Sequence, residues 1–330
     1  MSKKSMNFVA GIVLGLVFLL LWIKMINWEE FTAYFKDPKI WQIIPYSIFY
    51  ILAYFFRSLR WRELLKPVHK LDKIECFGIF SSGLLINYLI PVRAGELAKS
   101  FILKLKKKIS VATTLPTIFL DKLTDLFPIL LVIIAIPIIS MKLTTTLSAI
   151  IGLILFLFIA LLFFCYVAIF HREFAYRITK YCFKMFPPKF RSKLEDFLDK
   201  FLTGIAIVRR KDVNLFLVFV LTFMAVISES VYIYLVFRLF GSNLGFLQIL
   251  LGYTLMNLTY ILPTPPAQIG SNQFMWVLIF SVGLGADKNL TSAAVTMSHF
   301  LTSIIIFLMG SLSMFSLNVK YSEIISVKEG

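Results

Sequence analysis

The sequence predicts an all-α polytopic membrane protein with about six full transmembrane helices and two broken re-entrant segments, up to eight membrane segments, arranged as a pseudo-inverted repeat. Three observations lead there. Of the 330 residues, 59% are hydrophobic, 34 are phenylalanine and the mean hydropathy is +0.84, whereas soluble domains are about 45–50% apolar. Several apolar runs approach the roughly 20 residues that cross a hydrocarbon core of about 30 Å. The polar gaps between the runs are short, and Lys and Arg gather in them.

That distribution decides what the formal net charge of +16 means. Basic residues in loops between apolar runs favour anionic lipid and the cytoplasmic face, not nucleic acid. Cys76, Cys165 and Cys182, like His69, His171 and His299, are scattered without CxxC or zinc-ligand spacing. Neither a disulfide framework nor a metal site is expected. The sequence contains no GxxxxGK[ST] phosphate loop, which argues against ATP hydrolysis by this chain. No cofactor is implied.

In chain order the membrane segments are 8–26, 40–56, 75–103, 115–139, 147–170, 213–238, 246–285 and 290–317. The first follows Lys3 and Lys4, and "IKMINWEE" offers no small-residue cleavage site, so it should persist as a helix. Segment 75–103 lies between "RSLRWRELLKPVHKLDK" and "KLKKK". Two basic flanks place both of its ends in the cytoplasm, so it should dip in and return. The break falls at Pro91, Val92, Arg93, Ala94 and Gly95, where proline removes an amide donor and glycine permits the bend. Such backbone is tolerated only when buried in protein or facing a wet cavity. Two short full crossings with a tight turn at Pro91 are the alternative.

Segment 246–285 holds Pro263, Pro265 and Pro266 in its middle, followed by Gly270. Its arms of about 16–19 residues are short for a span, and it should enter from the outer face. Helix 40–56, broken segment 75–103 and helix 115–139 thus share an order with 213–238, 246–285 and 290–317, in opposite orientation. "NYLIP" before Gly95-Glu96 echoes "YILP" before Gly270 and Gln273. Paired broken segments in inverted repeats point to a transporter's central site. Residues 1–170 and 213–330 form the two membrane halves. Between them lies the basic linker 171–212, where Leu194, Phe197, Leu198, Phe201, Leu202 and Ile205 share one helical face, as in a helix lying in the cytoplasmic interface. Both termini are expected on the cytoplasmic side of the cell membrane.

Charged residues inside apolar segments are the candidate site. Arg93 offers a planar fork for phosphate or carboxylate at a break whose free amides also attract anions; pairing with Glu96 is the plainer role. Asn87 and Lys99 flank the same break. Asp121 and Asp125, at i and i+4, should face the bundle interior, paired with Arg93 or Lys99 or meeting a cationic head group. Glu229 stands in "MAVISESVYIYLVF" with no basic neighbour closer in sequence than Arg238. It needs a partner or a function, and His299 from the opposing helix is a candidate partner and proton site.

Three stretches resemble the flippase-like family that includes the transmembrane region of lysylphosphatidylglycerol synthases. "PVRAGE" at 91–96 is similar to that family's Pro-x-Arg-x-Gly-Glu. "DKLTD" at 121–125 is similar to its acidic-Arg-x-x-Asp, with Lys122 in place of arginine. "PAQIGSNQ" at 266–273 is similar to its Pro-Gly-Gly-x-Gly-x-x-Glu, with Ala267 and Gln268 for two glycines and Gln273 for the glutamate. The resemblance implies a lipid flippase fold. The aminoacyl-transferring domain of the bifunctional members should follow the last helix, where only "NVKYSEIISVKEG" stands, so this chain is not expected to make lysylphosphatidylglycerol. The function expected is movement of a phosphate-bearing lipid or lipid-linked sugar between leaflets, without catalysis. The alternatives are a non-transporting partner of a lipid-modifying or glycosyl-transferring enzyme, and a lipid-modifying enzyme itself.

Overall fold

The computed structural model describes residues 3–36, 38–90, 95–125, 145–171, 212–259 and 265–321, with isolated positions among 127–130, 173–179, 195, 202 and 323. Among the described residues every regular element is helical. The chain runs through α1 (Lys3–Met25), α2 (Trp28–Ala33), α3 (Ile43–Leu65), α4 (Lys73–Leu89), α5 (Gly95–Lys107) and α6 (Val111–Thr124). It continues through α7 (Thr145–Phe170), α8 (Leu215–Leu239), α9 (Phe246–Thr259) and α10 (Ser271–Val277), which passes into a π-helical turn over Leu278–Gly283, and ends with α11 (Lys288–Ser316). Pro91, Arg93 and Pro263 lie outside the described residues, as do the outer part of segment 115–139 and most of linker 171–212.

Helix starts follow local chemistry. The side chains of Asn27, Asp72, Asn214 and Asp287 each accept a bond from an amide in the first turn of α2, α4, α8 and α11, satisfying donors that a helix start leaves open. The Ile74 amide holds the exposed Asp72 carboxyl below its usual range.

Two described helices, α8 and α11, are long and apolar enough to cross a bilayer. The first of them packs along α3, and the contacts run antiparallel: Tyr50 meets Tyr232, Arg57 meets Glu229, Arg60 meets Thr222 and Glu63 meets Asn214. Helix α3 also packs on α4 and α6, and α8 on α9 and α11. The long α11 lies antiparallel along α4, from Leu317 on Gly78 to His299 beside Tyr88. Helix α1 covers the segment before α10, with Gly15 against Pro265 and Leu19 against Gly270.

Helix α3 is longer than the sequence predicts. An apolar segment ending at 56 and followed by a basic cytoplasmic flank is the expectation; the helix instead runs on to Leu65 and buries Arg57, Arg60, Trp61 and Glu63. The reason lies in the partners, since acids on α6 and α8 stand opposite those arginines.

Helices α4 and α5 fold back on each other at Gly95. Its amide donates to Asn87 Oδ1 at 3.0 Å, and a Cβ at this position would lie 2.3 Å from both the Asn87 nitrogen and the Gly83 oxygen. Both obstacles are backbone, so neither can rotate away. Gly95→Ala should therefore cost about 1–3 kcal/mol through overpacking, read as a lower melting temperature of the purified protein in detergent. Gly152→Ala in α7, where an added Cβ meets nothing within 4 Å, should instead gain about 0.5–1 kcal/mol of helix stability.

Candidate functional site

Where α3, α6 and α8 meet, charged side chains sit out of water. Arg60 and Asp121 are fully buried and Arg57 nearly so. Moving an ion into a low-dielectric interior costs several kcal/mol unless a partner is in place, so each needs a named counter-charge. Arg57 Nη1 donates to Glu229 Oε2 at 2.5 Å, and its Nη2 donates to the Tyr253 hydroxyl at 2.6 Å. That hydroxyl donates onward to Glu229 Oε2 at 2.7 Å, closing a triangle between α3, α8 and α9. Arg60 donates from Nε to Asp121 and from Nη1 to Asp125, each at 2.8 Å. The Asp125 carboxylate also stands 3.8 Å from Arg57.

The network continues onto α5. Lys99 Nζ lies 2.6 Å from Glu96 and 3.7 Å from Asp121, and 4.5 Å from the Phe80 ring centroid and 5.0 Å from that of Trp61, so two aromatic faces share its charge. Lys122 Nζ lies 2.7 Å from Glu96 and 3.9 Å from Asp125. Arg57, Arg60, Lys99 and Lys122 thereby balance Glu96, Asp121, Asp125 and Glu229 in one continuous chain of contacts. Lys122 is the most solvent-accessible of these side chains, at 48%.

A cavity of about 450 Å³ opens beside this network. Arg57, Glu96, Lys99, Lys122, Asp125 and Glu229 line it from one side. Asn87 and Tyr88 on α4, Asn257 on α9, Gln268, Asn272 and Trp276 near α10, and His299 on α11 line it as well. Glycine-like backbone shapes part of the wall: Ala267 and Gln268 have φ of 54° and 56°, and Gly270 has 77°. These are the positions where the resemblance places glycines, and the left-handed region is where glycine is favoured. Gly270 further has no room for a Cβ, which would come within 2.8 Å of Leu19 backbone.

The structure thus brings together Glu96, Lys99, Asn87, Asp125, Glu229 and His299 at one cavity, with Asp121 behind them and Gln273 bonded to His299. The partner expected for Glu229 is corrected: it is Arg57, not His299. His299 instead takes Gln273 and Tyr88. Gln273 Oε1 accepts from the Gly270 amide at 3.0 Å, which leaves its amide group to donate to His299 Nδ1 at 3.2 Å. His299 Nε2 lies 3.2 Å from the Tyr88 hydroxyl, which itself bonds Ser303, and the ring also bonds the Ala267 backbone. Glu96 takes Lys99 and Lys122, while Arg93 lies outside the described residues. Arg57, Arg60 and Tyr253 are missed from sequence. One signal was available: Tyr50, Ala53, Arg57, Trp61 and Leu64 continue a single buried stripe at helical spacing. Among the described residues, no group of His, Cys, Asp and Glu could hold a metal ion.

Comparison with known proteins places this architecture. Residues 8–310 match the family described as the lysylphosphatidylglycerol synthase TM region. Over 315 residues the chain is 25% identical to a protein of Methanothermobacter thermautotrophicus named UPF0104 membrane protein, covering 91% of this chain and 92% of the other. Over 130 residues it is 22% identical to a protein of Haloferax volcanii named glycosyltransferase AglD, covering 38% of this chain and 20% of that one. No solved structure matches the chain.

Two outcomes follow from the geometry. Arg60→Leu removes the hydrogen-bonded cation of Asp121 and Asp125 and should cost about 3–5 kcal/mol, whereas replacing Arg60 and Asp121 together with apolar residues of similar volume, which keeps the remaining charges balanced, should recover most of it; thermal melts of the two variants in detergent compare them. Ala267→Val forces a β-branched residue into the left-handed region and should lose about 1–3 kcal/mol, while Ala267→Gly should fold at least as well as the parent by the same measurement.

Proposed function

This chain belongs to the lysylphosphatidylglycerol synthase transmembrane-region family, and from that premise we propose that it moves a phosphate-bearing lipid or lipid-linked sugar between leaflets. The observation that carries the reading is the cavity of about 450 Å³ lined by ion-paired side chains inside an otherwise apolar bundle. Ionisable groups in membrane segments are rare and mark substrate or ion pathways. A bare charge in hydrocarbon is opposed by a large solvation penalty, so a cavity that offers Lys99 and Lys122 to a phosphate lowers the main barrier to its passage. Asn87, Asp121, Asp125 and Gln273 then orient these cations or the head group, and Glu229 and His299 are the candidate proton sites.

We further propose the inverted repeat and the two re-entrant segments. The offset of 172 residues that separates Arg57 from Glu229 also carries Pro91 onto Pro263 and "YLIP" onto "YILP". The antiparallel pair of α3 and α8 lies where a two-fold axis would pass, and the packing of α3 on α4 and α6 has its counterpart in α8 on α9 and α11. Helix α5 has 13 residues and α9 has 14, or roughly 20 Å each at 1.5 Å per residue, which is short of a hydrocarbon core of about 30 Å. This supports segments that enter and return, with both termini on the cytoplasmic side.

A second reading has one specific support. The match to the Haloferax protein named a glycosyltransferase favours a non-transporting membrane partner for a lipid-modifying or glycosyl-transferring enzyme. Reconstitution separates the two. Proteoliposomes carrying the protein and a head-group-labelled anionic phospholipid should expose inner-leaflet label to an impermeant quencher faster than protein-free vesicles. Lys122→Met should slow this at least tenfold, about 1.4 kcal/mol in the barrier, as should Arg93→Ala. Equal rates with and without protein, across anionic phospholipids and lipid-linked sugars, would leave the partner reading in possession.

A further inference from the structure

The cavity is chemically divided by the elements that wall it. All of its charged lining comes from α3, α5, α6 and α8: Arg57, Glu96, Lys99, Lys122, Asp125 and Glu229. An uncharged wall comes from α9, the turn at Pro266–Gln268, α10 and α11. No residue of α9, α10 or the following π turn is charged, and α11 carries only Lys288 at its start. What this wall offers is Asn257, Gln268, Asn272, His299 and Thr302 beside the Trp276 ring.

Resting on the transport reading above, we infer that the cavity takes a lipid whose phosphate carries an uncharged polyhydroxylated group, a sugar or cyclic polyol, in place of an amine. Sugar hydroxyls donate and accept at once, and the side-chain amides of asparagine and glutamine do the same. An ammonium group needs acceptors with negative charge, and the three carboxylates that line the cavity, Glu96, Asp125 and Glu229, are each already paired with a cation. His299 is already engaged, by Gln273 at Nδ1 and by the Tyr88 hydroxyl at Nε2.

Two details point to an occupant. Among the described residues, Asn257 Nδ2 is buried without a hydrogen-bond partner, although a buried donor left unmade costs about 1–3 kcal/mol. A hydroxyl oxygen in the cavity would satisfy it. The Asn272 amide oxygen accepts from Trp276 Nε1 at 3.1 Å, which fixes the amide so that its NH2 end remains to donate and ties its orientation to that of the indole. An aromatic ring beside fixed amides suits the apolar face and the hydroxyl edge of a sugar or inositol ring.

Binding to the purified full-length protein tests this, with phosphatidylinositol, phosphatidic acid and phosphatidylethanolamine as probes followed by native mass spectrometry and thermal shift. Phosphatidylinositol should bind at least tenfold tighter than phosphatidic acid. Asn257→Ala and Gln268→Ala should each lower phosphatidylinositol affinity about threefold to tenfold, the range of one or two hydrogen bonds, and leave phosphatidic acid unchanged. Gln268 sits in the partly exposed turn, so its variant folds even if Asn257→Ala does not. Equal binding of phosphatidylinositol and phosphatidic acid, tighter binding of phosphatidylethanolamine, or variants that weaken all lipids alike would overturn the inference. Vesicle translocation of the same lipids keeps it distinct from the transport reading. Selective binding without movement would sink transport and leave this inference standing; movement without preference would do the reverse.

Discussion

Arg57 is the constraint on which the rest of the arrangement depends. A guanidinium cannot shed its charge at any accessible pH, so a buried arginine must be met by anions and acceptors wherever the fold puts it. Here the fold puts it between both halves of the chain. Glu229 reaches it from α8, Tyr253 from α9 and Asp125 from the end of α6. Holding those groups within reach fixes the antiparallel alignment of α3 and α8, the depth of α6 beside them and the rotation of α9. A shift of one residue along the α3–α8 contact would strand a buried charge at a cost of several kcal/mol, a larger penalty than apolar packing alone imposes on a sliding helix pair. The ion pairs thus specify register more than they add stability.

The helical membrane character was legible because hydropathy reports the solvent directly. Breaks were legible for an equally local reason: Gly95 and Gly270 stand where backbone elements come too close for a Cβ, and sequence shows glycine as such. The family likeness in "PAQIGSNQ" was legible despite two replaced glycines, and the positive φ of Ala267 and Gln268 explains what the pattern encodes. The backbone conformation persists, and the side chains accept its strain. What sequence obscured was the role of "RSLRWRELL". Its arginines look identical to those of a cytoplasmic flank, and only the position of Asp121, Asp125 and Glu229 on other helices tells them apart. Burial of a charge is a property of its partners, and those partners lie at least 61 residues away for Arg60 and 68 for Arg57, between positions 57 and 125.

The same dependence explains why His299 was assigned to the wrong acid. Glu229 and His299 lie on neighbouring helices, and each lacks a partner within its own segment. Pairing them by exclusion is reasonable only while Arg57 is counted as a loop residue. Once Arg57 is inside, Glu229 is satisfied by it and by Tyr253. His299 falls to Gln273, whose other amide atom is already committed to the Gly270 amide. The cap of α10 therefore reaches a histidine on α11 through one side chain.

A network with equal numbers of opposite charges has a consequence for the proposed transport. A phosphate entering it does not meet a waiting positive pocket; it must take a cation from a carboxylate. The exchange is easiest where a cation already serves two acids and retains access to the cavity. Lys122 answers that description, held at 2.7 Å by Glu96 and at 3.9 Å by Asp125 with about half of its side chain open. Arg57 and Arg60 do not, because each makes directional bonds from a rigid plane to partners on different helices. In this arrangement the arginines hold the frame and the lysines carry the exchangeable charge. Swinging Lys122 toward a phosphate leaves Glu96 with Lys99 and Asp125 with Arg60, so no carboxylate is stranded at the moment of transfer. A cavity built this way can accept an anion for the difference between two ion pairs, well below the cost of desolvating one charge alone.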